Sequence, residues 1–343
     1  MGDVNREIVQ VPHTLPRLFS RPDRLDQSPL YVITPIINFN RQRSRWSHYQ
    51  NFEKHCAEAG AILYTIEVAF GNRGFVVTTP DDPRDIQMRT NHELWLKERA
   101  INLAVSRLPD DWEYMCWVDS DCMFIRQDWA DETKHLLQHY PLIQMWSQLH
   151  DLNKHHELIG QLRSFMDVSM NGPKSALVQD TYGSMPPSPP GPVHGSPGLA
   201  WAARREAWRQ MGGLIDFCIL GAGDWYFAHT LMGTLEKAIG SRNDLTGPFV
   251  RKLREYQDRV KRAKWEERPL VGNVGLMRGL VVHYYHGTRR NRKYGSRGKI
   301  LMNHNFNPDL DLKSDWNGIW QLTDRAPGLR RDIQAYFTSL EDE

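Results

Sequence analysis

The hydrophobic pattern of this 343-residue chain is strongest where apolar runs end suddenly in polar residues. Leu30 to Ile37 is a continuous apolar, β-branched run and predicts a strand buried on both faces. Trp46, Tyr49, Phe52, Cys56 and Ala59 then recur at helical spacing up to Gly60, a C-cap residue, and Ala61 to Val68 reads as a second strand. Strand, helix and strand at this spacing form a βαβ unit, which needs a parallel sheet. A second helix is expected from a Thr90–Glu93 capping box, with Leu94, Ile101, Ala104 and Leu108 as its apolar stripe. Tyr114 to Val118 predicts a further strand buried on both faces. A helix through Glu132 to His139 and a strand from Pro141 to Trp146 follow. Gly198 to Ala203 reads as a small-residue strand, and Arg204 to Met211 as a helix stopped by Gly212-Gly213. A helix is expected from Asp224 through about Lys237, and Gly279 to Tyr285 is a last β run. The fold class predicted is α/β: one Rossmann-like domain with a mostly parallel central sheet flanked by helices. Residues 1–29 carry Pro12, Pro16 and Pro22 without periodicity and read as an arm. The domain proper spans 30–290 with a proline-rich loop or lid at 171–198, and 291–343 is a basic segment with a C-terminal extension.

Chemistry enters where these elements end. The strand at 114–118 runs into Asp119-Ser120-Asp121, and alternation puts both carboxylates on one side. Two such carboxylates repel one another unless a cation lies between them, so the pair predicts a divalent-metal site; the alternative is a plain polar loop. Lys97 falls on the apolar stripe of its helix, where it either snorkels or meets an anion. Asp224 follows Gly221-Ala222-Gly223 and is either a helix cap or a carboxylate that orients and deprotonates a hydroxyl. His283 and His286 stand near the end of the last β run. Each is a ligand or a structural histidine, and strand alternation would put them on opposite faces. Arg289, Arg290, Arg292, Lys293, Arg297 and Lys299 form a basic segment suited to a diphosphate or, more blandly, to solvent.

Composition narrows the classes. Hydrophobic residues make up 40% and charged residues 24%, which are globular values, and a net charge of +2 gives no general reason to bind a polyanion. The four cysteines, Cys56, Cys116, Cys122 and Cys218, lack a CxxC pair and read as reduced core thiols. No apolar stretch approaches a membrane span or a signal sequence, so a soluble cytoplasmic protein is expected.

In order and spacing, the βαβ start, Asp119-Ser120-Asp121, Gly198-Leu199-Ala200-Trp201-Ala202, Gly212-Gly213, Gly221-Ala222-Gly223-Asp224 and His286-Gly287 resemble a GT-A glycosyltransferase over roughly residues 30 to 300. His286-Gly287 through Arg292 and Tyr294 is also similar to the family-2-like glycosyltransferases of tailed phages, for which the host cytoplasm would be the location. The resemblance implies transfer of a hexosyl or pentosyl group from a nucleotide-diphosphate sugar, a UDP-sugar before others, to an acceptor hydroxyl. The acceptor would be a glycan or a hydroxymethylated DNA base. It further implies Mn²⁺ or Mg²⁺ on Asp121, with Asp119 sharing the metal or touching ribose, and on His286, with His283 in reserve. Asn38, Arg41 and Glu67 are expected at base and ribose, and Lys97, Arg289 and Arg292 at the diphosphate. Asp224 is the implied catalytic carboxylate, with Trp225 and Trp201 against the acceptor; core packing is the alternative for Trp225. Family members often carry a second acid after that aspartate. Here Trp225 and Tyr226 follow, which leaves inversion or retention open. Two other classes remain, a nucleic-acid-binding protein and a nucleotidyltransferase on a similar sheet. The absence of any glycine from Thr34 to Arg41 weighs against the latter, which would carry a phosphate loop there.

Overall fold

The computed structural model describes residues 27–171, 195–287 and 296–340. Strand β1 (Leu30–Ile37), helix α1 (Arg43–Glu58) and strand β2 (Ile62–Phe70) form the parallel unit predicted from the first apolar run. Beyond them come β3 (Asp85–Thr90), α2 (Lys97–Val105), β4 (Tyr114–Val118), β5 (Cys122–Phe124), α3 (Trp129–Leu137), β6 (Leu142–Gln144), β7 (Gln148–Leu152), β8 (Leu158–Ser164) and α4 (Phe165–Asn171). After residue 194 the order is β9 (Gly195–Ser196), β10 (Ala200–Arg204), α5 (Arg205–Met211), α6 (Gly223–Leu231), α7 (Leu235–Gly240), α8 (Gly247–Arg262), β11 (Lys264–Trp265), β12 (Arg268–Pro269), β13 (Val274–Leu276) and β14 (Leu280–His283). The C-terminal part adds α9 (Gly298–Asn303), α10 (Pro308–Asp311), β15 (Leu312–Ser314), β16 (Trp320–Leu322) and α11 (Pro327–Thr338).

The main sheet has seven strands in the order β13-β6-β10-β4-β1-β2-β3, and β10 alone among them runs against its neighbours. Successive residues of β1 and β4 face opposite sides. Tyr31, Ile33, Met115 and Trp117 join one buried cluster, and Leu30, Val32, Tyr114, Cys116 and Val118 join the other. A strand covered on both faces reads as a continuous apolar run, which is why β1 and β4 were so plain in the sequence. A second sheet, β5-β14-β7-β8-β9, stands beside the first, and β14 is hydrogen-bonded between β5 and β7. Cys56, Cys116, Cys122 and Cys218 are buried and free. Among the described residues no helix is long and apolar enough to cross a membrane.

Three expectations need correcting. Thr90 is no helix cap: it ends β3, its Oγ1 accepts the His92 N–H at 3.0 Å, and α2 begins at Lys97 rather than near Glu93. The helix from Asp224 through Lys237 breaks into α6 and α7 at Gly233, which takes φ +67°. The last β run pairs only as far as His283, so strand alternation does not govern His286. The C-terminal residues are built into the domain: Phe306, Ile319, Leu322, Leu329 and Ile333 lie in the same buried cluster as Ile33 and Trp117.

Candidate active site

The sheet positions the chemistry at the carboxyl ends of β1 and β4, where open α/β sheets hold ligands. One cavity of about 310 Å³ is lined there by Asn38, Lys97, Asp119, Asp121, Asp224 and His286, among others. Asp121 lies in the turn between β4 and β5. Its Oδ2 is 3.1 Å from His286 Nε2 and its Oδ1 is 3.7 Å from His283 Nε2. The two Nε2 atoms are 3.2 Å apart, and one ligand atom from each of the three residues lies within 4.8 Å of the others. Both histidines therefore converge on Asp121, and neither is a reserve for the other.

Neighbouring strands fix this cluster. In register, His283 of β14 stands opposite Cys122 of β5 on one side and Asp151 of β7 on the other. His283 Nδ1 is 2.7 Å from Asp151 Oδ1, a contact that keeps the proton on Nδ1 and turns the Nε2 lone pair toward Asp121 and His286. Asp121, His283 and His286 are all buried. A carboxylate and two imidazole nitrogens at this spacing, one backed by a carboxylate, form a donor set that fits a divalent cation. His286 has a further constraint. Its Nδ1 is 3.2 Å from Arg45 Nη2, a group that can only donate, so with Arg45 in place the Nε2 of a neutral His286 carries the proton. Ligation through Nε2 requires that guanidinium to withdraw. Gln42 steadies this corner by donating from Nε2 to the His286 carbonyl oxygen at 3.2 Å.

Asp119 goes elsewhere. Its Oδ1 forms an ion pair with Lys97 Nζ, and it stands outside the group formed by Asp121, His283 and His286. Lys97 resolves its place on an apolar stripe through this partner. Burial opposes its charge, but the Asp119 and Glu98 carboxylates outweigh burial and raise its pKa above the ordinary lysine value. Glu98, also in the cavity wall, has the opposite fate. Burial pushes its carboxyl up to about 8, against the pull of Lys97 and with help from Asp224, so it holds its proton at neutral pH.

Asp224 sits in the first turn of α6, and its Oδ1 accepts the Trp225 N–H at 2.8 Å. Its Oδ2 lies so near Gly198 that a Cβ there would come within 2.9 Å, so the glycine permits the approach. Trp225 lines the cavity and packs edge-on against His229, with ring centroids 4.3 Å apart.

Other predicted site residues stand apart. Trp201 is 1% exposed, donates from Nε1 to the Pro197 carbonyl at 2.7 Å and packs against Phe227; it belongs to the core and offers no surface to an acceptor. Both oxygens of Glu67 are engaged by Val76, Val77 and Thr78, so this residue anchors the loop after β2 instead of reaching ribose. Arg41 is exposed at φ +56° and lies outside the cavity lining. Asn38 does line the cavity, but its side chain exchanges hydrogen bonds with the Gln42 backbone, both at 2.9 Å. Arg289 and Arg292 lie outside the described residues, as does most of the proline-rich segment. Arg45, Glu98 and Asp151 are residues that the sequence did not single out. Glu98 alone left a trace, as a carboxylate beside Lys97 in a mostly apolar helix.

No protein-family model matches the chain, and no curated protein sequence matches it. Among solved structures it is similar to the catalytic domain of Drosophila beta1,4-galactosyltransferase 7 in complex with xylobiose, at 15% identity and a TM-score of 0.29. That match covers 59% of this chain and 59% of the other. It is also similar to S. aureus TarS 1–349 in complex with UDP-GlcNAc, at 11% identity and a TM-score of 0.36, covering 70% of this chain and 68% of the other. Likeness of this size leaves the chemistry to be read from this chain's own residues.

Proposed function

We propose that the chain is a metal-dependent glycosyltransferase that moves a sugar from a nucleotide-diphosphate sugar to an acceptor hydroxyl. The observation that carries this reading is the buried Asp121–His283–His286 cluster, which shares one cavity with Asp224 and the Lys97–Asp119 pair. Two imidazoles beside one carboxylate suit Mn²⁺ better than Mg²⁺, which favours oxygen ligands throughout. When bound, such a cation supplies charge neutralisation to a departing diphosphate.

The chain's own groups have separable tasks. Lys97 presents a fixed positive charge beside the cation cluster, in position to meet a phosphate oxygen. Asp224 is the acceptor of the hydroxyl proton: its Oδ1 is held by the Trp225 N–H while its Oδ2 faces Gly198 across the cavity wall. Glu98, protonated, adds no negative charge near the diphosphate. Trp225 offers part of a ring to an acceptor sugar. A glycan acceptor would bind almost independently of salt, whereas an acceptor base carried on DNA would lose affinity steeply as salt rises.

The deciding experiment measures UDP-sugar hydrolysis and transfer in the presence of Mn²⁺ for the wild type, Asp121→Ala and Asp224→Asn. Asp121→Ala should lose both metal binding and turnover. Asp224→Asn should lower turnover about 10²-fold or more while donor affinity holds. Wild-type turnover without a divalent cation would refute the metal assignment, and equal loss of turnover and donor affinity in Asp224→Asn would move that residue to the donor side.

A further inference from the structure

The cavity is lined by charged groups, Asp121 and Lys97 among them, and also by aromatic rings, including Phe39 past the end of β1, where the amides of Asn38 and Asn40 stand beside it. Tyr336, Phe337 and Leu340, in and just after α11, line the cavity together with Ile37 and Phe39. The Phe39 ring meets Phe337 edge-on with centroids 6.1 Å apart, and Phe337 meets Tyr336 at 5.2 Å. The Asn40 side chain donates to the Leu340 carbonyl at 3.3 Å, which ties the loop after β1 to the end of α11. Tyr336 and Phe337 remain 8% and 7% exposed, unlike Leu329 and Ile333 of the same helix at 1% each. A ligand that fills such a cavity combines an anionic group with a flat aromatic group. A nucleoside diphosphate has that form.

Resting on the nucleotide-sugar reading above, we propose that α11 supplies the wall against which the nucleobase of the donor packs, with Tyr336 and Phe337 as the stacking residues. The last helix of the chain is then part of the donor site. A base stacked on an aromatic side chain gains enough that losing the ring is measurable, while a phosphate held by the charged groups does not sense it.

The test titrates the full chain, in Mn²⁺, with UDP and separately with inorganic pyrophosphate, for the wild type, Tyr336→Leu, Phe337→Leu and Tyr336→Phe. UDP affinity should fall roughly ten-fold or more in the leucine variants and stay within about two-fold in Tyr336→Phe, with pyrophosphate affinity unchanged throughout. Should a leucine variant fail to fold, amide hydrogen exchange on the wild type gives the same answer: UDP should slow exchange in residues 327–340 and pyrophosphate should not. Unchanged UDP affinity in folded leucine variants, equal loss of both ligands, or equal protection of α11 by both would overturn the assignment and leave the nucleotide-sugar reading standing. If UDP, ADP and GDP all fail to bind the wild type, both fall together.

Discussion

At the scale of single residues, Glu98 separates two protonation states most cleanly. Its folded pKa of about 8 lies above the ordinary glutamate value of 4.5, so across that window the folded chain binds more protons than the unfolded one. Stability contributed by this group is full at low pH and is lost as pH rises toward 8. Burial sets the shift, Lys97 opposes it and Asp224 and Asp119 add to it, and all three charged neighbours remain in a Glu98→Gln variant. That variant should melt near the wild type at pH 5 and at least about 2 °C higher at pH 8.5, as read by calorimetry. A constant difference between the two proteins across this range would mean that Glu98 ionises normally.

At the scale of elements, glycine spacing around α6 explains how crowded carboxylates fit. A Cβ on Gly223 would lie 2.9 Å from Glu98 Cδ and 3.0 Å from the Ile215 carbonyl oxygen. Gly223→Ala should therefore destabilise the protein by about 1–3 kcal/mol in urea denaturation, an overpacking cost. Gly240→Ala, with open space around it, should be neutral or slightly stabilising. Much of the element order was legible, because β1, β2 and β4 are covered on both faces and their apolar runs could hardly belong to anything else. Thr90 and Glu93 misled because a capping pattern is local, whereas pairing of β3 with β2 is a tertiary fact. The amphipathic α8 buries Phe249, Leu253, Tyr256 and Val260 at helical spacing but was not among the expected elements. Nor was the second sheet: β5 and β9 are three and two residues long, too short for any period to show.

At the scale of the whole molecule, the candidate site draws on residues from Asn38 to Leu340. Asp121, Lys97, Asp224 and His286 could be picked out by residue type at element ends. The resemblance also grouped Asp121 with His286, but the pairing of Asp119 with Lys97 and the joint approach of both histidines to Asp121 were not legible in the sequence. Arg99 clamps the C-terminal part to α2: it donates to the Gly318 carbonyl and to Asp216, and its guanidinium lies 4.1 Å from the centre of the Trp320 ring. Deleting residues 296–340 would strip Phe306, Ile319, Leu329 and Ile333 from the core, each worth about 1.5–3 kcal/mol of burial. The shortened chain should show no cooperative melt in near-ultraviolet circular dichroism. A sharp transition at the wild-type temperature would show instead that the domain stands without its last helices.

The contact between Arg45 and His286 bears on sequence of events rather than on geometry. A guanidinium that must leave His286 before its Nε2 can ligate becomes free to meet an anion, so occupancy of the cation site and affinity for a diphosphate are coupled in both directions. Mn²⁺ should then tighten UDP binding, and UDP should tighten Mn²⁺ binding by the same factor. Arg45→Met should tighten Mn²⁺ about 5-fold or more in calorimetric titration, on the scale of ordinary site-to-site coupling, and reduce that mutual effect. Independent binding in the wild type, or weaker Mn²⁺ binding in the variant, would mean that the arginine stays with the histidine throughout.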